Sequence, residues 1–191
     1  MTTINNVELA GKVRTLDVPG YGPISFEALA REARDVLSGV KVTATRGETS
    51  IPSFAQRIIS ADPRKADHSP KFQCVYGDES SPFLALVGLR EIAFLGPNMV
   101  VHTRHKLHRD IGADWGGFEH TILPRPTGFV FVYEAGVMSF GADGIPIWEL
   151  ELSPHDYLLS QDSQFLRFRS DEFSGYGKGD WLLRLDSGSR Q

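Results

Sequence analysis

The chain has 191 residues, 41% hydrophobic and 23% charged, which supports a folded core and excludes disorder along the whole chain. Its formal net charge of −4 makes nucleic acid an unfavourable partner, because a phosphate backbone repels an acidic protein. A single cysteine excludes an internal disulfide, and no apolar run approaches the roughly 18 residues needed to cross a bilayer. We therefore expect a cytoplasmic protein without a membrane-spanning segment.

The clearest local pattern in the N-terminal part, residues 1–60, is helical. Apolar residues recur at helical spacing at Phe26, Leu29, Ala30, Ala33 and Leu37. Ser25 is a suitable N-cap, and Gly39 is a suitable residue to end the helix. The spacing predicts an amphipathic helix over residues 26–38.

The segments that follow this helix are less regular. Alternation at 40–44 predicts a strand that ends near Gly47. Residues 51–60 are ambiguous, because Pro52 could open a short helix there. Residues 61–71 are polar and contain two prolines, so they predict a mobile loop or a boundary between two parts of the chain.

From Phe72 onward the pattern predicts strands. Phe72, Cys74 and Tyr76 alternate, which makes Cys74 a small buried hydrophobe. Residues 83–95 are compatible with a helix or with strands, and their alternation favours strands. Ser153-Pro154 predicts a short helical turn. Further strands are predicted at 99–103, 118–123, 128–134, 137–140, 145–152, 165–168 and 181–185, with Asp143-Gly144 as a hairpin turn.

These elements predict one α+β domain, mainly β, over residues 1–191. Its N-terminal part contains the helix, and residues 72–191 form the β-rich part. Many short strands joined by tight turns are typical of an antiparallel meander, which we expect to form a sandwich or half-barrel. The amphipathic helix is then expected to pack on this sheet.

A histidine-rich segment is the candidate metal site. His102, His105 and His108 recur at intervals of three, with Asp110 and His120 downstream, and histidine with carboxylate is a transition-metal ligand set. In one continuous strand, however, His105 faces away from the other two, and His102 and His108 lie about 20 Å apart. A metal site therefore requires a turn that brings His105 and His108 together with Asp110 or His120. The alternative is a polar strand end with solvated histidines.

Aromatic and basic side chains predict a binding surface. Trp115 and Phe118 lie in a Gly-rich connection, and aromatic residues in loops are frequent interface anchors. Tyr176 and the acidic run 171–173 extend this surface if the two loops lie together. A basic group that could bind an anion consists of Arg104, Lys106 and Arg109.

The sequence contains no complete catalytic constellation. Ser174–Asp180 resembles a phosphate loop only superficially, because Gly179 follows Lys178 and a strand, not a helix, is predicted next. We therefore expect a non-enzymatic binding or protein-interaction module with a protein or small-molecule partner and no cofactor. The alternative is a metal-dependent enzyme that uses the histidine cluster at 102–120 with a divalent transition metal. Whether the protein is an enzyme stays open at this point.

Overall fold

A computed structural model describes residues 1–9, 12–29, 37–58, 69–108 and 120–191. Every regular element in these ranges is a β-strand, and every strand pairing is antiparallel. No helix in the described part of the chain has the length and hydropathy needed for a membrane crossing. The protein is therefore all-β over the residues described.

The strands form three sheets, each a meander in which neighbours along the chain are paired. The first sheet runs from β2 to β9 in chain order, with β1 paired to β6. Its strands are β1 (Thr3–Glu8), β2 (Arg14–Val18), β3 (Gly22–Ala28), β4 (Leu37–Ala44), β5 (Gly47–Ile58), β6 (Ser69–Tyr76), β7 (Leu84–Val87), β8 (Glu91–Leu95) and β9 (Val101–Lys106). The second sheet contains β10 (His120–Arg125), β11 (Gly128–Tyr133), β12 (Gly136–Gly141) and β13 (Pro146–Glu151). The third contains β14 (Asp156–Gln161), β15 (Phe165–Ser170) and β16 (Gly179–Arg184).

The predicted helix over 26–38 is wrong, and with it the α+β class. Its first residues belong to β3 and its last to β4, while residues 30–36 lie outside the described ranges. Phe26 is fully buried and pairs with Val42 across the two strands. This cross-strand packing outweighs the local helical spacing, as tertiary contacts commonly do.

The alternative of a short helix at Pro52 is also wrong, because Pro52 lies within β5. The register between β4 and β5 shifts there: Ser38 pairs with Ala55, and Val40 pairs with Ile51. Proline is tolerated at such a bulge, where the ladder hydrogen bonds are interrupted. A side chain at Gly39 would come within 3.1 Å of the Ile51 carbonyl oxygen, so this glycine permits the close approach of the bulge.

The described chain divides into two compact units. Unit 1 comprises Met1–Leu107 with Ala142–Gly144. Its nine-stranded sheet curls around a buried cluster that contains both Ile24 from β3 and Leu95 from β8. The Tyr21 hydroxyl donates a hydrogen bond to the Leu95 carbonyl over 2.9 Å, which links the β2–β3 turn to the end of β8.

Unit 2 comprises His108–Gly141 and Ile145–Gln191. Its two sheets share one core, in which Val130 and Val137 of the second sheet cluster with Leu166, Phe168 and Trp181 of the third. All residues of β11 are buried, as predicted for a strand that is apolar on both faces. The earlier prediction of a single domain over the whole chain stays a prediction.

Most of the strands predicted after Phe72 are confirmed. The ambiguous segment 83–95 forms β7 and β8, and Cys74 is fully buried in β6, where burial raises the pKa of its thiol. The predicted helical turn after Ser153-Pro154 is wrong, because a tight turn closed by the Asp156 amide and the Ser153 carbonyl leads directly into β14. The proposed mobile segment 61–71 lies largely outside the described residues, although its last three residues belong to β6.

Candidate functional site

The candidate metal residues do not form a metal centre in the described part of the chain, where no group of three or more potential ligands has the required arrangement. The register of β9 against β8 shifts at His102, so His102 and His105 do not face opposite ways as they would in a continuous strand. Both rings lie near Phe94, with centroid distances of 6.4 and 6.1 Å. The His102 Nε2 atom lies 3.2 Å from the Asp143 carbonyl oxygen. The His105 Nε2 atom lies 2.8 Å from the Gly144 carbonyl oxygen. A carbonyl only accepts, so Nε2 carries the proton and donates it there. His108 is exposed, His120 is half-buried in β10, and Asp110 lies outside the described residues.

The predicted basic group is described only in part. Arg104 and Lys106 share the exposed face of β9. The Arg104 guanidinium lies 3.7 Å from the Glu91 carboxylate, and Glu91 is the register partner of Lys106. A neighbouring acid thus offsets part of the positive charge on this strand. Arg109, Trp115 and Phe118 of the predicted binding surface lie outside the described residues.

The loop from Asp171 to Lys178 in unit 2 is the best-defined candidate site. It connects β15 to β16 and contains Tyr176 and the acidic run that the sequence indicated. Phe173, within this run, is 72% exposed. Among the aromatic side chains of the described residues Phe173 is the most exposed; Tyr157 follows at 51%.

A buried hydrogen-bond network anchors this loop to the sheet. Asp156 is only 9% exposed, and its Oδ1 accepts hydrogen bonds from the hydroxyls of Ser170 over 2.5 Å and Ser174 over 2.7 Å. Its Oδ2 accepts from the Ser153 amide over 2.8 Å. The Ser170 hydroxyl also accepts from the indole Nε1–H of Trp181 over 2.8 Å. The carboxylate therefore joins the start of β14, the end of β15 and the loop.

The electrostatics of the network favour an ionised Asp156. Burial alone raises the pKa of this carboxyl, but the hydrogen bonds from Ser170, Ser174 and the Ser153 amide, with the charge of Arg190, outweigh it. The net pKa lies below the ordinary value.

The lowered pKa predicts acid sensitivity. Because the folded pKa lies below the unfolded value of about 3.9, the ionised carboxylate stabilises the fold above that pH. This stabilisation is lost as the pH falls through the folded pKa. We expect Asp156→Asn, which cannot titrate, to lose less unfolding free energy than the wild type between about pH 6 and about pH 3. Urea unfolding at both pH values measures this difference, and equal losses would contradict the prediction.

Tyr176 anchors the second half of the loop. It is half-buried against the core of unit 2, and its hydroxyl donates a hydrogen bond to the Glu151 carbonyl over 2.7 Å. Its backbone amide donates to the Ser174 hydroxyl over 3.1 Å, and its ring packs against Trp181 with centroids 5.4 Å apart. These contacts hold the second half of the loop as firmly as Asp156 holds the first.

His155 and Asp171 support the exposed ring. The His155 Nδ1 lies 2.9 Å from the Asp171 carboxylate, and the His155 ring lies 5.5 Å from that of Phe173. The other carboxylate oxygen of Asp171 accepts from the Phe173 amide over 2.9 Å. Burial raises the pKa of Asp171, but the hydrogen bonds from Phe173 and His155 outweigh it, so the pKa is lowered. The backbone of Phe173 and the side chains next to its ring are therefore held in place by hydrogen bonds.

Sequence reasoning missed Asp156, Ser170 and His155. One weak indication of these contacts was present in the sequence, because short polar side chains lie at both ends of the segment that forms the β14–β15 hairpin. Nothing in their spacing shows that Asp156 and Ser170 form a register pair. Tyr176 belongs to unit 2, and Arg104 and Lys106 belong to unit 1.

Comparisons with known proteins add no relative to this description. No family model, no curated protein and no solved structure matches the chain.

Proposed function

We propose that the protein is a non-enzymatic protein-interaction module and that the Asp171–Lys178 loop makes its central contact. The observation that carries this proposal is the 72% exposure of Phe173 on a loop whose backbone and neighbouring side chains are held by hydrogen bonds. Aromatic side chains that fill a pocket on the partner contribute most of the binding free energy in many interfaces.

The rigidity of the loop strengthens the proposal. Ordering a flexible loop on binding costs free energy that reduces affinity. Here the Ser174 amide already donates to the Asp171 carbonyl, and the Gly177 amide donates to the Ser174 carbonyl. The loop is therefore organised before any partner arrives, and the exposed ring of Phe173 is presented in one place.

The loop that carries the exposed ring also carries an exposed charged pair, and charged and polar side chains are typical of the rim of an interface. The Glu172 carboxylate and the Lys178 ammonium lie 3.7 Å apart, and both side chains are well exposed. Solvent screens such pairs, so they contribute little to stability and stay available to a partner. We infer a partner surface with an apolar pocket bordered by polar groups.

Removing the exposed ring tests this function. We expect Phe173→Ala to weaken capture of a specific protein from an extract of the source cells by at least about tenfold, because truncated interface anchors commonly cost this much or more. The measurement is quantitative mass spectrometry of proteins retained by the immobilised chain, followed by titration of the purified partner. Ile147→Ala is the matched control, because Ile147 is 64% exposed but lies on β13.

Both variants are expected to unfold like the wild type, since neither side chain is buried. Loss of the same protein with Phe173→Ala, and its retention with Ile147→Ala, supports the proposed contact. Identical sets of retained proteins for all three chains would contradict it.

A further inference from the structure

The outer edge of β16 is occupied by a short extended segment of the same chain. The Gln191 amide donates to the Leu182 carbonyl over 2.8 Å, and the Leu182 amide donates to the Gln191 carbonyl over 3.1 Å. The Arg184 amide donates to the Ser189 carbonyl over 2.9 Å. Residues 188–191 thus add a short strand to the third sheet, in the manner of a peptide bound by strand addition.

The side chain of Arg190 occupies an aromatic pocket beside this edge. Its guanidinium carbon lies 4.6 Å from the ring centroid of Tyr176 and 4.8 Å from that of Trp181. One guanidinium nitrogen donates to the Tyr176 carbonyl over 3.1 Å. The positive charge also lowers the pKa of the buried Asp156, after the larger effects of its burial and hydrogen bonds. Two rings, a carbonyl and a buried carboxylate therefore favour an arginine at this position.

Few contacts hold the segment in place. Four backbone hydrogen bonds join it to β16, the fourth from the Gly188 amide to the Arg184 carbonyl over 2.9 Å. The contacts of the Arg190 side chain and of Ser189 with Ser187 add to these, and Ser189, Arg190 and Gln191 are exposed. Gly188, with φ of +67°, forms the turn that connects the segment to β16. Release of residues 189–191 would leave the backbone groups of Leu182 and Arg184 and the faces of two aromatic rings open.

We propose that the outer edge of β16, together with the Tyr176–Trp181 pocket, is a binding site for an extended arginine-bearing segment of another protein. The chain's own residues 188–191 occupy this site and compete with that ligand. The contacts of this segment specify the ligand chemistry. Ser189 and Gln191 show an extended backbone that pairs with Arg184 and Leu182, and Arg190 shows a planar cation over two rings. The site shares Tyr176 with the Asp171–Lys178 loop but does not include Phe173, so the two proposals are tested by different variants and different signals.

The double variant Arg190→Ala/Gln191→Pro of the full chain tests the site. Alanine removes the guanidinium, and proline removes the amide that pairs with Leu182. The probe is the peptide acetyl-Ser-Gly-Ser-Arg-Gln-amide, and the control peptide has alanine in place of arginine. NMR titration follows the Leu182 and Arg184 amides and the Trp181 indole. We expect saturable shifts at these three signals and a dissociation constant about tenfold lower for the arginine peptide.

The wild type is expected to need at least about tenfold more peptide, because its own segment competes at a high effective concentration. No saturable shift in the double variant, or equal affinity for both peptides, would overturn the proposal. Concentration-dependent dimerisation of the wild type with shifts at the same signals would also overturn it, since the occupant would then be a second copy.

A second variant keeps the test valid if the double variant fails to fold. Arg190→Ala alone retains the backbone pairing, and its pocket is titrated with N-acetylarginine methylamide. The Trp181 indole signal is expected to shift with this compound and not with N-acetylalanine methylamide. An unchanged indole signal with both compounds would overturn the proposal of an arginine pocket.

Discussion

Asp156→Ala is expected to lower the free energy of unfolding of unit 2 by about 3–4 kcal/mol. The substitution removes three hydrogen bonds to a buried carboxylate and leaves the donors of Ser153, Ser170 and Ser174 without this acceptor. Buried donors that lose a charged acceptor cost more than the average hydrogen bond, because water does not replace the lost partner. Chemical unfolding followed by tryptophan fluorescence measures the effect, since Trp148 and Trp181 both lie in unit 2.

Asp162→Ala is the matched control for this prediction. The Asp162 carboxylate also accepts two hydrogen bonds, from the amides of Gln164 and Phe165 over 2.7 and 2.8 Å, but it is exposed to solvent. Water replaces the lost acceptor there, so we expect a much smaller loss of stability. Equal losses for the two aspartates would show that Asp156 does not anchor the loop as described.

Gly188→Ala is expected to destabilise unit 2 by about 3 kcal/mol, and Gly177→Ala by about 1 kcal/mol. Both glycines have left-handed backbones, with φ of +67° and +79°, so alanine introduces the same backbone strain at both. A side-chain carbon at Gly188 would lie 2.6 Å from the Trp148 ring, whereas nothing lies within 4 Å of one at Gly177. The difference between the variants isolates this steric clash.

Thermal unfolding and urea unfolding of both variants, beside the wild type, measure the difference. A displaced Trp148 ring in Gly188→Ala is also expected to change the tryptophan emission. If the two substitutions cost the same, the Gly188 turn does not pack on Trp148, and the placement of residues 188–191 on β16 would lose its support.

The sequence predicted the strands correctly where burial left a simple pattern of apolar residues, either alternating or continuous. Alternation at Phe72, Cys74 and Tyr76 corresponds to the two faces of β6, and the unbroken apolar run at 128–133 corresponds to a fully buried β11. The hairpin at Asp143-Gly144 was predictable, because this pair favours the backbone that a tight turn requires.

The helix prediction failed because local spacing does not reveal the partner of a segment. Phe26 and Leu29 fit a helical stripe, but Ile24 and Phe26 equally fit the alternating face of a strand. The pairing of Phe26 with Val42 decided between these possibilities, and that pairing is a tertiary contact. The short helix suggested by Pro52 in β5 was wrong for a similar reason, because only the register with β4 shows that Pro52 lies at a bulge.

The candidate site was even less accessible to sequence reasoning. Asp156, Ser174 and Trp181 converge only after β14, β15 and β16 have paired in register. The sequence did indicate both the acidic run 171–173 and Tyr176 as parts of a binding surface. The structure gives Tyr176 an anchoring role and leaves Phe173 exposed, because which aromatic side chain finds cover depends on the packing of the whole loop.

Photo-crosslinking from the loop in the source cells tests the central proposal most directly. Benzoylphenylalanine replaces Phe173 in one chain and Ile147 in another, and the crosslinked products are identified by mass spectrometry. Our account predicts a discrete protein adduct from position 173, absent from position 147, that disappears when Asp156→Ala loosens the loop. No adduct from position 173, or the same adducts from both positions, would contradict the proposal that this loop is the interaction surface.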